Sequence, residues 1–278
     1  MGLKITTLVE NSLGENLALQ AAHGLSFLIE EDDKSFLFDL GQHDLVVKNA
    51  AELGFDLSLI SKVIISHNHY DHGGGLKDLI NNFGPQEIIV HKDFFEEKYG
   101  IGKIKMEYLG INYTLKSLLK TGSKIQEISD DITYISDNIF IAANFKRKSS
   151  FEEVNKRFYI KRDNELVLDE FNDEIAVGIK SPKGLIILLG CSHPGVVNML
   201  SSIIDRTGIN DIYCILGGTH LVEGETERID KTLQYIKDLY VDYLGISHCT
   251  GKKAEKIFKR ELPNKFFHNS TGTTIEIM

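Results

Sequence analysis

At 278 residues, with 42% hydrophobic side chains and only four prolines, the chain can supply a substantial core and lacks the composition of disordered linkers. Its 31 basic and 40 acidic side chains give a formal charge of −9. That balance disfavours nucleic acid, whose phosphate backbone needs a broad basic face, and leaves a small anionic substrate open.

Taken along the chain, residues 1–9 lack the long apolar stretch of a secretory signal, and no run approaches the roughly 20 apolar residues that span a bilayer. No membrane partner is expected. Short apolar, β-branched runs predict strands near 4–9, 25–30 and 35–39, with Glu31-Asp32-Asp33-Lys34 turning between the last two. Helical patterns follow at 43–53, 76–82, 196–206, 226–239 and 252–260. Strand-like pieces recur near 125–128, 132–135, 139–143, 157–160, 175–179 and 185–190. Hairpins alternating with crossover helices predict an α/β fold with two sheets back to back and helices outside. The three cysteines, Cys191, Cys214 and Cys249, cannot all pair within one chain, and thiols beside histidines suit a reducing cytoplasm.

Four apolar runs stop on a histidine: Val63 to His67, Leu185 to His193, Ile212 to His220 and Tyr243 to His248. If these strands share a sheet and end on one edge, six of the ten histidines converge in one cleft. The first run opens the string His67-Asn68-His69-Tyr70-Asp71-His72. His67 and His69, two apart in an extended segment, can turn to one side. Asp71 and His72 come where the backbone turns at Gly73-Gly74-Gly75, so they face another way. Such a string can hold two adjacent metals about 3.5–4 Å apart, sharing a hydroxide whose pKa they lower.

The H-x-H-x-D-H string after a strand resembles the hallmark of the metallo-β-lactamase superfamily. Ser35 to Gly41, with its Asp39-Leu40-Gly41 end, resembles that family's early strand, whose aspartate supports the metal loop from behind. Gly190-Cys191-Ser192-His193-Pro194-Gly195 and Ser247-His248-Cys249-Thr250-Gly251 resemble later strand-end motifs. Together with His23-Gly24-Leu25-Ser26 and Gly217-Gly218-Thr219-His220-Leu221, they are similar to a prokaryotic branch of metal-dependent hydrolases. Some members of that branch carry the name dihydropterin ribofuranosyl-aminobenzene phosphate synthase. The resemblance implies one metallo-β-lactamase-like domain over residues 1–278, a four-layer αβ/βα sandwich with metals at one edge of the sheets. It implies His67, His69, Asp71, His72 and His248 as metal ligands.

The departures bear on the site. Many superfamily members place a further histidine ligand on a middle strand, but no histidine lies between His91 and His193 here. Where the family usually has a bridging Asp after Gly, this chain has Gly190-Cys191. Either His193 supplies the missing ligand, or Cys191 contributes a thiolate, or both do. His220 can ligate, protonate a leaving group or hydrogen-bond another ligand. His91 reads as structural, His43 and His268 as surface or supporting residues, and His23 as a neighbour of the cleft. From Lys92 to Asp173 the pattern is least decided. This stretch holds Lys98, Lys103, Lys105, Lys116, Lys120, Lys124 and the cluster Lys146-Arg147-Lys148, interleaved with aromatics. Lys146 or Arg147 reads either as an anchor for a substrate phosphate or carboxylate or as ordinary solvated charge.

The functional expectation is a metal-dependent hydrolase, binuclear with zinc, with manganese or iron left open. A metal-activated hydroxide would attack a small ester, phosphoester or acyl substrate, with Asp71 as ligand and orienter of water and His220 as a catalytic candidate. Two alternatives stay open: a mono-iron thiol or persulfide oxidoreductase, and a non-catalytic metal-binding sensor. Neither the physiological substrate nor the oligomeric state is legible.

Overall fold

Leucine, isoleucine and phenylalanine dominate Leu3–Val9 (β1), Ser26–Glu31 (β2) and Lys34–Phe38 (β3), which pair antiparallel in that order. The register sets Glu31 opposite Lys34, leaving Asp32-Asp33 as a two-residue loop with Asp32 at φ +51°. Left-handed backbone there matches the twist of the strands, and Asp tolerates it. The computed structural model describes residues 2–102 and 104–277, so Lys103 lies outside the described residues. The chain divides into two compact units, Met1–Ile128 with Lys156–Asp169 and Ser270–Met278, and Ser129–Asn155 with Glu170–Asn269.

In the first unit, Lys62–Ile64 (β4), Glu87–His91 (β5) and Lys124–Ile128 (β8) continue the sheet in parallel. Parallel neighbours need crossovers. Leu45–Glu52 (α1), Tyr70–Gly73 (α2), Leu76–Phe83 (α3) and Leu115–Lys120 (α4) lie between those strands in sequence. Thr274–Ile277 (β18) pairs with β1, giving the order β18-β1-β2-β3-β4-β5-β8. The core joins Val46 and Ala50 of α1 and Leu76 and Leu79 of α3 to Leu28, Leu37, Val63 and Ile88 of the sheet.

A separate four-stranded sheet of this unit occupies the undecided region. Glu97–Ile101 (β6), Met106–Tyr108 (β7), Phe158–Arg162 (β11) and Glu165–Leu168 (β12) run in the order β12-β11-β6-β7. Lys98 of β6 is not surface charge. It is buried with Asp169, Nζ to Oδ2 2.8 Å, because a carboxylate 71 residues on compensates it.

The second unit is built on Ile132–Tyr134 (β9), Ile139–Ala142 (β10), Ala176–Ser181 (β13), Gly184–Leu189 (β14), Asp211–Gly218 (β15), Tyr240–Ser247 (β16) and Phe266–His268 (β17). Their order is β17-β16-β15-β14-β13-β10-β9, and β14 to β17 are parallel. Val196–Thr207 (α5), Thr226–Asp238 (α6) and Lys252–Glu261 (α7) are the crossovers. Leu185, Ile187, Ile212, Ile215 and Leu244 pack with Leu200, Ile229, Leu233 and Phe258 of these helices. The near-continuous aliphatic run of β14 is what a strand covered on both faces requires.

The condition set by the four histidine-ended runs holds for three of them. β14, β15 and β16 are neighbours in one sheet, whereas β4 belongs to a different one. Among the described residues no helix is long and apolar enough to cross a membrane.

Candidate metal centre

In the first unit the histidine string leaves the carboxyl end of β4, the usual place for ligands in a parallel sheet. Asp39, one residue past β3, sits at φ +60° with its carboxylate aimed into the turn. Its Oδ1 accepts Ser66 N–H at 2.7 Å, and its Oδ2 accepts Ser66 Oγ at 2.8 Å and His72 Nδ1 at 2.6 Å. That last bond places the proton of His72 on Nδ1 and leaves Nε2 as the ring atom able to accept a cation. Nε2 lies 3.8 Å from Asp71 Oδ2. His67 Nδ1 meets Ser66 Oγ at 2.9 Å, while its Nε2 lies 3.1 Å from His69 Nδ1.

These separations test the donor set. Two imidazole nitrogens on one tetrahedral zinc, each about 2.0–2.1 Å from it, stand about 3.3 Å apart. The His67–His69 pair meets that spacing, so the residues fit a cation. Burial pushes the His67 pKa well below its usual value, with His72, His69 and Lys98 adding to the effect and Asp71 opposing it. The imidazole is therefore neutral, which is the ligating form. Asp71 Oδ2 also meets His23 Nε2 at 3.1 Å.

The second unit gathers its chemistry at the carboxyl ends of β14, β15 and β16. Ser192, His220 and His248 all adopt left-handed backbone, φ +63°, +46° and +53°. For residues with a Cβ this is strained, and such strain persists where the surroundings hold it, as at functional sites. Glu174, fully buried, accepts Ser192 N–H at 2.5 Å and His193 N–H at 2.7 Å. Burial drives its pKa well above the usual carboxyl value against those two bonds. The Phe171 ring stacks on His193, centroids 3.7 Å apart and planes 5° from parallel, and His193 lies 4.2 Å from the His220 ring. Ligand atoms of Cys191, His193 and His220 lie within 4.8 Å of one another, as do those of Cys191, His248 and Cys249. Burial alone would raise the Cys249 pKa, but hydrogen bonds with Cys191 and His220 and the charges of His248 and His220 outweigh it, so it falls well below the usual thiol value.

A family model described as the metallo-beta-lactamase superfamily matches residues 20–195. The chain belongs to that superfamily. A relative from Methanocaldococcus jannaschii, named 7,8-dihydropterin-6-methyl-4-(beta-D-ribofuranosyl)-aminobenzene-5'-phosphate synthase, is 34% identical over 99% of this chain and 96% of its own. A second protein of that organism, named as uncharacterised, is 31% identical over 98% of this chain and all of its own. The solved structure of Tm1679, described as a metal-dependent hydrolase of the beta-lactamase superfamily, superposes with a TM-score of 0.86 at 30% identity, covering 99% of each chain. The mixed α/β fold is thus that of the metallo-β-lactamase superfamily.

Placed within this superfamily member, His67, His69, Asp71 and His72 form one cluster with Asp39 behind His72. Cys191, His193, His220 and His248 gather at three neighbouring strand ends of the second unit. Arg147 is not a free anion anchor. Its guanidinium donates to the carbonyls of Glu152, Pro194, Glu170 and His193 at 3.0–3.4 Å, so it ties down the loop carrying His193. Lys146 is exposed. His91 is buried, with Nδ1 accepting Asp93 N–H at 3.2 Å, and His268 pairs with Glu255 at 3.2 Å. Sequence reasoning did not single out Glu174, Phe171 or the placement of Cys249. Only the spacing of Cys249 immediately after His248 hinted at the last.

Proposed function

We propose that this chain is a metal-dependent hydrolase that holds two zinc ions and cleaves a small, anionic or neutral ester, phosphoester or acyl substrate. His67, His69, Asp71 and His72 are its ligands in the first unit, and His193 and His248 in the second. A divalent ion, when bound, supplies positive charge at the developing oxyanion and makes a coordinated water more acidic. Asp71 would serve both as a ligand and as an orienter of the attacking water, and His220 would donate a proton to the leaving group. Asp39 keeps His72 in the tautomer that presents Nε2.

The reading rests above all on the 3.1 Å separation of His67 Nε2 and His69 Nδ1, close to that of two imidazole nitrogens on one zinc. Family membership and the description of Tm1679 support it. The test is elemental analysis of protein prepared without chelators, followed by a panel of phosphodiester, phosphomonoester, lactone and thioester reporters. Close to two zinc per chain and metal-dependent turnover of one reporter class sustain the proposal. One iron per chain with no turnover sinks it and favours thiol oxidation.

A further inference from the structure

Cys249 follows β16 and Cys191 follows β14, so β15 runs between the strands that bear them. At Gly218, the last residue of β15, a Cβ would stand 2.5 Å from the Cys249 sulfur and 3.3 Å from Cys191 Cα. The glycine therefore leaves room for the Cys249 sulfur to pass over the middle strand toward Cys191. There the Cys249 thiol donates to the Cys191 carbonyl oxygen at 3.3 Å. His220 N–H donates to the same sulfur at 3.3 Å, a contact that would remain once the thiol gives up its proton to bind a cation. Val222 N–H donates to the Cys249 carbonyl at 3.1 Å and fixes its backbone.

We propose that Cys191, Cys249 and His248 together bind a soft divalent cation, zinc foremost, through two thiolates and one imidazole. The proposal rests on the metal-binding reading of the second unit and adds two sulfur ligands to it. Their ligand atoms already lie within 4.8 Å of one another. Two sulfurs on a tetrahedral zinc, each about 2.3 Å away, stand about 3.8 Å apart, so the pair needs to close by no more than about 1 Å. Two thiolates neutralise a dication and the imidazole stays neutral, and binding releases the two thiol protons to solvent. Three protein ligands of the Cys2His type leave a fourth position open. Sulfur donors also set the metal preference, favouring zinc over magnesium, calcium or manganese.

The ordinary role of a buried cysteine is that of a small apolar side chain. Cys214, in the middle of β15, fills it: its sulfur belongs to no donor group among the described residues. Cys191 and Cys249 differ in lying at strand ends beside strained Ser192 and His248.

The experiment loads the full chain with cobalt(II) and reads the near-ultraviolet sulfur-to-metal charge-transfer band. The wild type should show it, Cys249→Ser and Cys191→Ser should each lose roughly half of it, and the double variant should lack it. His67→Ala should keep it. No band in the wild type, or a full band in Cys249→Ser, overturns the proposal. Should the variants fail to fold, zinc-edge X-ray absorption of the unaltered protein decides. Sulfur neighbours at about 2.3 Å, two per chain and so about one per zinc when two zinc ions are bound, sustain the site, and a shell of nitrogen and oxygen alone removes it. Both readouts need no substrate, so a failure of the hydrolase reading leaves them unaffected. Hydrolysis by a protein without sulfur ligands would remove only this proposal.

Discussion

Asp39 Oδ2 lies 2.6 Å from His72 Nδ1, and both side chains are fully buried. The same carboxylate holds the backbone and hydroxyl of Ser66, whose Oγ touches His67 Nδ1. One aspartate therefore orients two imidazoles. Asp39→Asn suits the left-handed backbone at this position but cannot accept all three bonds. Metal affinity should fall about 10–100-fold, read by competition with a chromophoric chelator. Wild-type affinity in the variant would show that the aspartate does not set the tautomer.

Arg147 spans four carbonyls around the His193 loop with one planar group. Arg147→Ala should cost about 2–4 kcal/mol of unfolding free energy, because charge-assisted hydrogen bonds to a half-buried loop are lost. Arg147→Lys should recover little, since a point ammonium cannot bridge the fork. KM for any anionic substrate should stay close to wild type. A large rise in KM with unchanged stability would restore Arg147 to the role of anion anchor.

Much of the molecule was legible because it carries period. The hairpin of β2 and β3, the helices α1, α3, α5, α6 and α7, and the strand-end histidines announce themselves by alternation, by 3.6-residue spacing and by turn residues. The sheet of β6, β7, β11 and β12 did not. Its strands are short, β12 is exposed along its whole length, and β6 pairs with a strand some sixty residues on. Lys98 looked like its exposed neighbours because the carboxylate that permits its burial lies far along the chain. The meeting of Cys191 and Cys249 depends on strand order, which local pattern does not encode.

Glu152 carries a pH signature. It is buried, and its carboxylate accepts the N–H groups of Val197 at 2.9 Å and Asn198 at 2.8 Å at the start of α5. Burial raises its pKa above the ordinary 4.5, against those bonds and the charges of Arg228 and Arg147. A raised folded-state pKa means the folded protein holds the proton longer than the unfolded chain. The stabilisation is complete below about 4.5 and is lost as pH rises through the folded value. The melting temperature of metal-free protein should therefore decline across that window, and Glu152→Gln should flatten the decline. An equal slope in the variant would assign the dependence to other groups.

Gly218→Ala tests the crossing of the middle strand by the Cys249 sulfur. The added methyl would meet that sulfur at 2.5 Å and the Gly190 carbonyl oxygen at 2.7 Å. The oxygen belongs to backbone that also accepts Gly218 N–H at 2.9 Å, so it cannot yield easily. Overpacking of this kind costs about 1–3 kcal/mol. Relief should come from rotation of the Cys249 side chain away from Cys191. The variant should unfold at lower denaturant with an unchanged slope, and its thiols should react faster with an aromatic disulfide. Gly2→Ala is the control, since nothing lies within 4 Å of a Cβ there and its effect should stay within about 0.5 kcal/mol. A Gly218→Ala protein with wild-type stability and thiol reactivity would mean that the sulfur has space to spare, and the glycine would no longer explain the approach of the two cysteines.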